Sequence, residues 1–414
     1  MAITRITTNI CIVGAGPAGA TTSIMLSKMG IAHTIVDAAD FPRDKICGDG
    51  LDLNVMRVLN HIDPSITTHE LPNHTGFQAS YGMRFILPGG KQVDLFRRKA
   101  GRNPHHMKVP IFYISKRGNF DNFLIGKLDR AFADVHFGTR ITKIEKEGAT
   151  WKLTGKKQNE QVEIEAKFLI GADGDHSVVL KHVGERKIDR NNYAAAVRQY
   201  WKGVTGLHPQ RLIEVYFPKT LPLSYFWIFP LPDGEANVGF GMASNYVAKK
   251  NINVVKEFSN LIKTDPCLTE RFKNAEPQET VKGWGIPMSG IGRKAHGDGW
   301  LLVGDAASIV CPTSGEGIGS GMLSGYTAAH FVKRAVEKMD YSEKMFTAYD
   351  REIHKRLHLE EKIYRFVNYI PAKAFTAGIN MVLSNKLFQN WYTNKEMPKW
   401  IETAYNTPIE VNMH

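Results

Sequence analysis

The N-terminal segment carries the pattern that most restricts how this chain can fold. NICIVGAGPAGATTSIMLSKMGIAHTIVD has the form of a buried strand, a glycine turn, a helix and a second strand that ends at Asp37. Gly14, Gly16 and Gly19 have the spacing G-x-G-x-x-G. In such a unit the first glycine makes the turn, the second lets the backbone approach a pyrophosphate, and the third allows close helix–strand packing. Asp37 stands where an acid accepts hydrogen bonds from a ribose hydroxyl, so the segment predicts a dinucleotide site without distinguishing NAD from FAD.

Two later segments repeat this arrangement of a strand followed by a glycine and an acid. In AKFLIGADGDHSVV a strand that ends at Ile170 precedes Asp173 and Gly174, and in GWLLVGDAASIV a strand leads to Asp305. The three motifs are spread over about three hundred residues. We therefore expect one ligand that is held by distant parts of the chain, which suits a long dinucleotide such as FAD.

Together these motifs resemble those of the FAD-dependent oxidoreductases related to para-hydroxybenzoate hydroxylase. The resemblance implies that Asp305 binds ribityl or ribose hydroxyls of FAD. It also implies that Arg117, in ISKRGNFDNFLIGKL, opens a helix and helps to hold the cofactor. The backbone of the loop after Asp305 is expected to lie against the isoalloxazine ring, at Pro312, Gly315, Gly317 and Ile318.

The glycine-rich stretch GDAASIVCPTSGEGIGSG has a physical explanation if the ligand is a flavin. The N-terminus of the helix that follows carries partial positive charge and unpaired N–H donors. Directed at the pyrimidine end of a flavin, these groups stabilise the anion that forms when the ring accepts a hydride. Side chains at this junction would prevent the approach, so the sequence predicts a helix N-terminus beside the ring.

Two other stretches resemble the geranylgeranyl reductase family, whose members hydrogenate carbon–carbon double bonds in prenyl chains of lipids, chlorophyll precursors or quinones. They are KICG at residues 45–48 and YFWIFP at residues 225–230, and the resemblance covers roughly the first 340 residues. It implies that Cys47 lies near the flavin and takes part in catalysis, and that the substrate-binding residues are Lys45, Tyr225, Trp227 and Phe229. From the residues alone, the aromatic side chains also fit plain core packing, and Cys47 also fits a small buried hydrophobe.

The resemblance implies hydride transfer from reduced FAD to one carbon of an alkene in an apolar, prenyl-type substrate. Either Cys47 or a bound water supplies the proton for the other carbon. The chain has no second G-x-G-x-x-G unit for a nicotinamide. We therefore expect that NAD(P)H binds transiently or that another donor supplies the electrons.

Other functions share the same cofactor motifs, because these motifs report the cofactor and not the reaction. The second hypothesis is a flavin-dependent monooxygenase or halogenase that acts on an aromatic or apolar small molecule. Halogenases carry W-x-W-x-I-P, whereas this chain has Tyr225 and Phe229 in place of the first tryptophan and the isoleucine. The third hypothesis is a non-catalytic binding protein that FAD stabilises.

Composition sets the remaining expectations about partners and location. The formal net charge is +12, but the basic residues are scattered and no nucleic-acid motif occurs. We expect no nucleic-acid partner and favour an anionic one, such as a phosphorylated ligand or a membrane surface. The four cysteines form no C-x-x-C pair, which suits a reducing cytoplasm. No apolar run reaches the roughly 18 residues of a membrane span, so we expect a cytoplasmic protein, and peripheral contact with the inner face of the membrane is the further hypothesis.

The segment from about residue 341 onward has a helical pattern that is rich in aromatic and basic residues. It fits a helical cap packed on the flavin domain, which we favour, and it also fits an amphipathic segment that lies on a bilayer. His354 and His358 are four residues apart with Glu361 nearby, a spacing that can bind zinc. Because no third-ligand pattern accompanies them, we predict no metal site.

The expected fold class is α/β, with a Rossmann-like FAD-binding domain, an inserted antiparallel β-sheet substrate domain and a helical C-terminal tail. The FAD-binding domain combines residues 1–75, 100–185 and 280–340, and residues 341–414 form the C-terminal region. The substrate domain uses residues 76–99 and 186–279. Its strand-like runs include NYAAAVRQYWKGV, RLIEVYF and the two halves of LSYFWIFPLPDGEANVGFGM, which a turn at Asp233-Gly234 joins.

Overall fold

The computed structural model describes residues 3–96, 109–184, 188–290, 292–367 and 369–413. In these ranges the strands are β1 (Ile3–Val13), β2 (His33–Val36), β3 (Gly50–Leu51), β4 (Gln78–Ser80), β5 (Gly82–Ile86), β6 (Gln92–Phe96), β7 (Phe112–Ile114), β8 (Ala133–His136), β9 (Thr139–Glu147), β10 (Thr150–Lys157), β11 (Glu160–Gly171), β12 (Tyr193–Lys202), β13 (Ile213–Tyr216), β14 (Ser224–Pro230), β15 (Glu235–Ala243), β16 (Glu276–Pro277), β17 (Lys282–Pro287), β18 (His296–Gly297) and β19 (Trp300–Leu302). The helices are α1 (Pro17–Lys28), α2 (Leu53–Ile62), α3 (Leu71–Asn73), α4 (Arg117–Ile125), α5 (Val178–Val183), α6 (Ser244–Lys250), α7 (Val254–Thr264), α8 (Pro266–Phe272), α9 (Ile318–Lys338), α10 (Tyr349–His354), α11 (His358–Val367), α12 (Ala372–Ser384), α13 (Lys386–Trp391) and α14 (Met397–Asn406).

The first sheet has the strand order β18-β19-β11-β1-β2-β8, and β10 and β9 extend it from β11. Neighbouring strands from β19 to β8 run parallel. Residues 10–13 of β1 and 168–171 of β11 are buried throughout, as is typical of a parallel sheet that is covered on both faces. Helices α1 and α9 pack closely at Gly325, where an added Cβ would lie 2.3 Å from the carbonyl oxygen of Ala18.

The parallel strands bring the three sequence motifs to one edge of this sheet. Val13 at the end of β1 lies beside Val36 on one neighbour and Gly171 on the other, and Gly171 lies beside Leu302. Each motif follows directly after one of these strand ends. The crevice at the carboxyl ends of the strands is where open α/β sheets bind ligands, so the structure brings the three motifs together as the sequence predicted.

The second sheet has the order β16-β12-β15-β14-β13-β5-β6, with β17 also paired to β12, and a small sheet is formed by β3, β7 and β4. The predicted hairpin is present as β14 and β15, joined by the turn at Pro232–Gly234. Side chains alternate along β14, so that Phe226 and Ile228 pack in a core with Phe258 of α7. The opposite face of β14 is therefore available to line a site.

The predicted fold class is confirmed, because a mainly parallel sheet is combined with a mainly antiparallel one and a helical C-terminal region. The domain limits stay predictions. Strand β17 pairs with β12 of the second sheet, although residues from 280 onward were assigned to the FAD-binding domain. The predicted limits between residues 99 and 100 and between 185 and 186 lie outside the described residues.

The C-terminal helices cover parts of both large units. Side chains of α12 and α13 pack against Leu87, Val93 and Leu95 at the edge of the second sheet. Helix α14 packs against α2 and buries Ile401 beside Ile111. The contact of α14 with α2 is what a cap on the predicted FAD-binding domain requires, whereas α12 and α13 pack on the second sheet. Within the described ranges, every helix is too short or too polar to cross a membrane.

Candidate functional site

A cavity of about 920 Å³ lies between the strand ends of the first sheet and one face of the second. Its wall contains most of the residues predicted to bind cofactor or substrate, namely Gly14, Gly16, Asp37, Lys45, Cys47, Arg117, Asp173, Gly174, Tyr225, Trp227, Phe229, Asp305, Gly315, Gly317 and Ile318. Gly19 and Pro312 are described but do not belong to this wall. An added Cβ at Gly19 would lie 1.9 Å from the carbonyl oxygen of Gly14, so its absence is needed for packing inside the turn.

The glycine turn after β1 forms one end of the cavity. Gly14 has φ +105°, and an added Cβ would lie 2.3 Å from the carbonyl oxygen of Ala172. Helix α1 begins after Gly16, which is its N-cap and provides no side-chain cap. A helix start without a side-chain cap leaves N–H donors that an anion accepts readily. This end of the cavity is therefore suited to a pyrophosphate.

Two predicted acids at the strand ends make different contacts. Oδ2 of Asp37 accepts a hydrogen bond from the N–H of Ala15 at 2.7 Å, which braces the glycine turn, and its remaining lone pairs are available to a hydroxyl. Oδ2 of Asp173 accepts a hydrogen bond from the N–H of Val178 at 2.6 Å, and it thereby caps α5. Gly174 makes the turn between them with φ +77°. Asp173 thus supports the cavity wall through the start of a helix.

Arg117 opens α4, as the resemblance implied. Its side chain is held by a bidentate ion pair with Asp121 that the sequence did not reveal. Its Nε and Nη2 donate to the two carboxylate oxygens of Asp121 at 2.8 and 3.0 Å. Asp121 also pairs with Nη2 of Arg43 at 3.3 Å. Burial alone would lower the pKa of Arg117, but the Asp121 carboxylate raises it. Two guanidinium groups therefore share one buried carboxylate beside the cavity.

Lys45 and Asp305 place opposite charges in the middle of the cavity wall. The ammonium of Lys45 lies 3.3 Å from the ring centroid of Trp284, a cation–π contact. Burial lowers the pKa of Lys45 to about 8, and the nearby Asp305 opposes this effect. Burial also raises the pKa of Asp305, while Lys45 and Arg117 act in the opposite direction. Trp284 was not identified from the sequence, because it lies on β17, far from Lys45 along the chain.

The start of α9 differs from the sequence-based prediction. Glu316 accepts hydrogen bonds from the N–H of Gly319 and from the hydroxyl of Ser320, the latter at 3.0 Å. An added Cβ at Gly319 would lie 2.6 Å from Oδ1 of Asp52 and 3.0 Å from Oε1 of Glu316. Burial and the neighbouring Asp52 raise the pKa of Glu316. Glu316 therefore takes up the N–H of Gly319, one of the donors that the sequence-based prediction left unpaired.

A buried hydrogen-bond network holds the loop that contains Cys47. Oδ2 of Asp49 accepts from the Tyr200 hydroxyl and from Nδ2 of Asn237, both at 2.8 Å. The same Asn237 nitrogen donates to the carbonyl oxygen of Cys47 at 2.8 Å. Nε1 of Trp227 donates to Oδ1 of Asn237 at 2.8 Å. The network ties the loop to three strands of the second sheet, and no spacing in the sequence links its members.

The chemical state of Cys47 follows from this environment. Burial raises the pKa of the Cys47 thiol, and its sulfur accepts a hydrogen bond from the N–H of Asp49 at 3.4 Å. A thiol with a raised pKa keeps its proton at neutral pH, so it can donate a proton and is a poor nucleophile. Burial also raises the pKa of Asp49 to about 6.

The aromatic residues of β14 form the opposite wall. The Tyr225 hydroxyl donates to the carbonyl oxygen of Ser314 at 3.1 Å, which connects the strand to the glycine-rich loop. Trp227 lies across β15 at Gly239, where an added Cβ would be 2.0 Å from the indole ring. A Cβ at Gly50 would lie 3.3 Å from the ring of Phe229. Glycines on two sides therefore make room for two of the three large rings, those of Trp227 and Phe229.

Several unpaired polar atoms indicate what the cavity binds. Nε of Arg43, Oγ1 of Thr139 and Nε1 of Trp284 are buried in cavity-lining residues without a hydrogen-bond partner in the described structure. Buried polar atoms of native proteins normally have partners, so a ligand with polar groups along its length accounts for them. Together with the glycine turn and the uncapped α1, they fit FAD.

His354, one of the two histidines near the C-terminus, contacts an acidic side chain. Nδ1 of His354 lies 3.0 Å from Oε1 of Glu361, which links α10 to α11, and the Ser289 hydroxyl also donates to Glu361. In the part of the chain that the structure describes, no group of three or more potential metal ligands occurs.

Comparisons with known proteins agree with this geometry. Residues 7–358 match the family described as FAD binding domain. The chain is 26% identical over 376 residues to digeranylgeranylglycerophospholipid reductase of Methanococcus vannielii, covering 90% of this chain and 87% of the relative. It is 29% identical over 357 residues to the protein of that name from Thermoplasma acidophilum, covering 84% of each chain.

Solved structures show the same fold. A geranylgeranyl bacteriochlorophyll reductase-like protein from Thermoplasma acidophilum has a TM-score of 0.78 at 24% identity, covering 97% of both chains. A flavin-dependent brominase has a TM-score of 0.72 at 20% identity, covering 92% of both chains. Because the family match spans most of the chain and the cavity fits the cofactor, this chain belongs to the FAD-binding-domain family and is an FAD-dependent oxidoreductase.

Proposed function

We propose that this enzyme reduces carbon–carbon double bonds in the prenyl chain of a lipid or quinone. The observation that carries the proposal is the position of the Cys47 thiol, whose pKa burial raises, in the wall of a cavity that the three aromatic rings of β14 also line. An apolar alkene needs such a surface, and its saturation needs a proton donor that stays protonated at neutral pH. The relatives named digeranylgeranylglycerophospholipid reductase support a prenyl lipid as the substrate class.

When bound, reduced FAD supplies the hydride. The start of α1 and Asp37 bind the dinucleotide, while Asp305 and the backbone at Gly315, Gly317 and Ile318 position its flavin end. The aromatic rings of β14 orient the alkene and exclude water. Cys47 donates its proton to the alkene carbon that does not receive the hydride, and the resulting thiolate regains a proton from solvent.

Two further parts of the proposal concern partners. NAD(P)H that binds transiently, or another reductant, supplies the electrons. The enzyme acts in the cytoplasm, in peripheral contact with the inner face of a membrane where prenyl lipids reside.

The test is anaerobic turnover of the reduced, FAD-loaded protein with a geranylgeranyl lipid or prenylated quinone, with products measured by mass spectrometry. The expected product gains two hydrogens per reduced bond while the flavin is reoxidised. Performed in deuterium oxide, the reaction is expected to place one solvent-derived deuteron on each carbon of the reduced bond, because the thiol proton and the hydrogen that reduced flavin transfers both occupy exchangeable sites.

A flavin-dependent monooxygenase or halogenase is the second candidate function, because the brominase structure shares the fold. A substrate that gains an oxygen or halogen atom in air, with no hydrogen gain under anaerobic conditions, would establish it.

A further inference from the structure

Helix α11 exposes its apolar face, whereas an ordinary surface helix exposes its polar face. Its apolar side chains Leu359, Ile363 and Phe366 follow a spacing of four and three residues, which places them on one face. They are 66%, 45% and 68% exposed. The polar side chain of Glu361 is instead buried and bonded to His354. A soluble helix normally turns its apolar stripe inward, so this outward stripe indicates a partner.

The same feature continues into the next two helices. Met381 and Val382 of α12 and Leu387 and Trp391 of α13 are exposed, Leu387 to 79%. Tyr369, between α11 and α12, is 88% exposed. These residues and the stripe of α11 are called the outer apolar set here. Single exposed apolar residues are common, but so many within one short stretch of chain are not.

Charge identifies the kind of partner. Between residues 362 and 395 the chain has five basic residues and no acidic one: Lys362, Arg365, Lys373, Lys386 and Lys395. All five are exposed. Apolar side chains interleaved with lysine and arginine match a bilayer whose headgroups are anionic, because the rings and aliphatic groups enter the acyl boundary while the cations meet phosphate.

The inner side of α12 and α13 contacts residues of the cavity wall. Leu383 and Phe388 pack in one cluster with Phe85 and Phe217, and the latter two line the cavity. The hydroxyl of Tyr392 lies 4.0 Å from the sulfur of Met83, another lining residue. One layer of helix, formed by α12 and α13, therefore separates their exposed apolar residues from these lining residues of the cavity.

We propose that α11 to α13 dock this enzyme on an anionic lipid bilayer, so that a prenyl chain passes from the bilayer into the cavity beneath these helices. The inference rests on the proposed function for the identity of the passing chain, but the docking itself does not. The geometry explains how an enzyme without a described membrane-spanning helix acts on a substrate that does not leave the bilayer.

The experiment is sedimentation of the full-length, FAD-loaded protein with vesicles of equal parts phosphatidylglycerol and phosphatidylcholine, and with phosphatidylcholine vesicles alone. We expect binding to the mixed vesicles that weakens with added salt, and weak binding to phosphatidylcholine. The double variant Phe366→Ser, Leu387→Ser is expected to lose about tenfold or more of the partition coefficient. The matched control is Ile188→Ser, Val255→Ser, two residues that are 53% and 46% exposed elsewhere, and it is expected to bind normally.

Three results overturn the proposal: equal binding by both double variants, equal binding to both vesicle types, or a stable dimer that only the Phe366→Ser, Leu387→Ser variant dissociates. The last result would assign the outer apolar set to a second copy of this chain.

Anaerobic reduction of geranylgeraniol in detergent, without vesicles, separates this proposal from the proposed function. If the Phe366→Ser, Leu387→Ser variant reduces geranylgeraniol at the parental rate but loses vesicle-embedded substrate, docking is supported. If the parent protein reduces neither geranylgeraniol nor the vesicle-embedded substrate but still binds vesicles, only the proposed function fails.

Discussion

The two ends of the cavity are built in different ways. At the dinucleotide end, backbone dominates: the glycine turn, the start of α1 and the ends of parallel strands surround the space. At the aromatic end, side chains dominate: the rings of β14 are held by glycines on neighbouring segments and by the network around Asp49. At Gly14 the backbone leaves no room for an added Cβ, whereas side chains at the aromatic end can adjust by packing and protonation. Substitutions should therefore affect cofactor binding at one end and substrate handling at the other.

The largest effect is expected from Gly14→Val at the dinucleotide end. A Cβ there lies 2.3 Å from a main-chain oxygen and the backbone has φ +105°, so neither strain nor clash is relieved by a side-chain shift. We expect FAD affinity to fall about a thousandfold, measured by flavin absorbance after dialysis. Gly30→Ala is the control, because Gly30 also has positive φ, +71°, but its Cβ meets nothing within 4 Å. Retention of FAD by the Gly14 variant would refute the interpretation that the backbone of the glycine turn forms the dinucleotide end of the site.

The second effect concerns stability and pH at the aromatic end. Burial raises the pKa of Asp49 from an ordinary 3.8 to about 6, so between these values the unfolded chain ionises while the folded one keeps its proton. Wild-type stability is therefore lost as pH rises through about 4 to 6, by about 3 kcal/mol from this group. Asp49→Asn removes this loss, because asparagine does not ionise. The free energy of unfolding of the variant relative to wild type, measured with urea, should therefore increase as the pH rises from about 4 to 6.

Asp233→Asn is the matched control for Asp49→Asn, since both aspartates have φ near +60° and Asp233 is exposed. Its effect on the free energy of unfolding is measured over the same range, from pH 4 to 7, as the reference for an exposed aspartate. An Asp49→Asn effect that varies no more with pH than this reference would mean that Asp49 is ionised in the folded protein.

The third effect tests the thiol. Cys47→Ala should lower anaerobic product formation by roughly a hundredfold while leaving FAD binding intact, because it removes the proton donor and no cofactor contact. Product formation by Cys47→Ser, which has an O–H in place of the S–H, should lie between that of wild type and that of Cys47→Ala. Cys267→Ala, at the start of α8, removes a thiol remote from the cavity and should turn over normally. Unchanged turnover in Cys47→Ala would assign proton donation to a water.

The smallest effect is expected from Gly239→Ala. The added Cβ would lie 2.0 Å from the Trp227 indole, so the ring must move into the cavity. We expect about a tenfold rise in KM for the prenyl substrate with FAD binding unchanged. Gly283→Ala, in the same sheet, is the control, because its Cβ would make only an ordinary contact of 3.6 Å with Val197. Equal kinetics in both variants would show that Trp227 does not shape the substrate site.

The sequence alone determined the cofactor end of this protein. G-x-G-x-x-G, Asp37 and the two later glycine–acid motifs could be recognised because a turn, a strand end and a helix start are local structures whose residues lie next to one another in the chain. The hairpin of β14 and β15 was predictable for the same reason, since period-2 alternation and an Asp-Gly turn are short-range signals.

Only the tertiary structure decided the rest. Asp49 meets Tyr200 and Asn237 across 151 and 188 residues, and Trp284 reaches Lys45 from β17. Glu316 takes one donor at the start of α9, the N–H of Gly319, because its side chain folds back onto a residue three positions later. Which face of α11 would point outward was likewise undecided, since periodicity defines an apolar stripe but not what covers it. Contacts of this kind depend on how sheets and helices pack, and packing is a property of the whole chain.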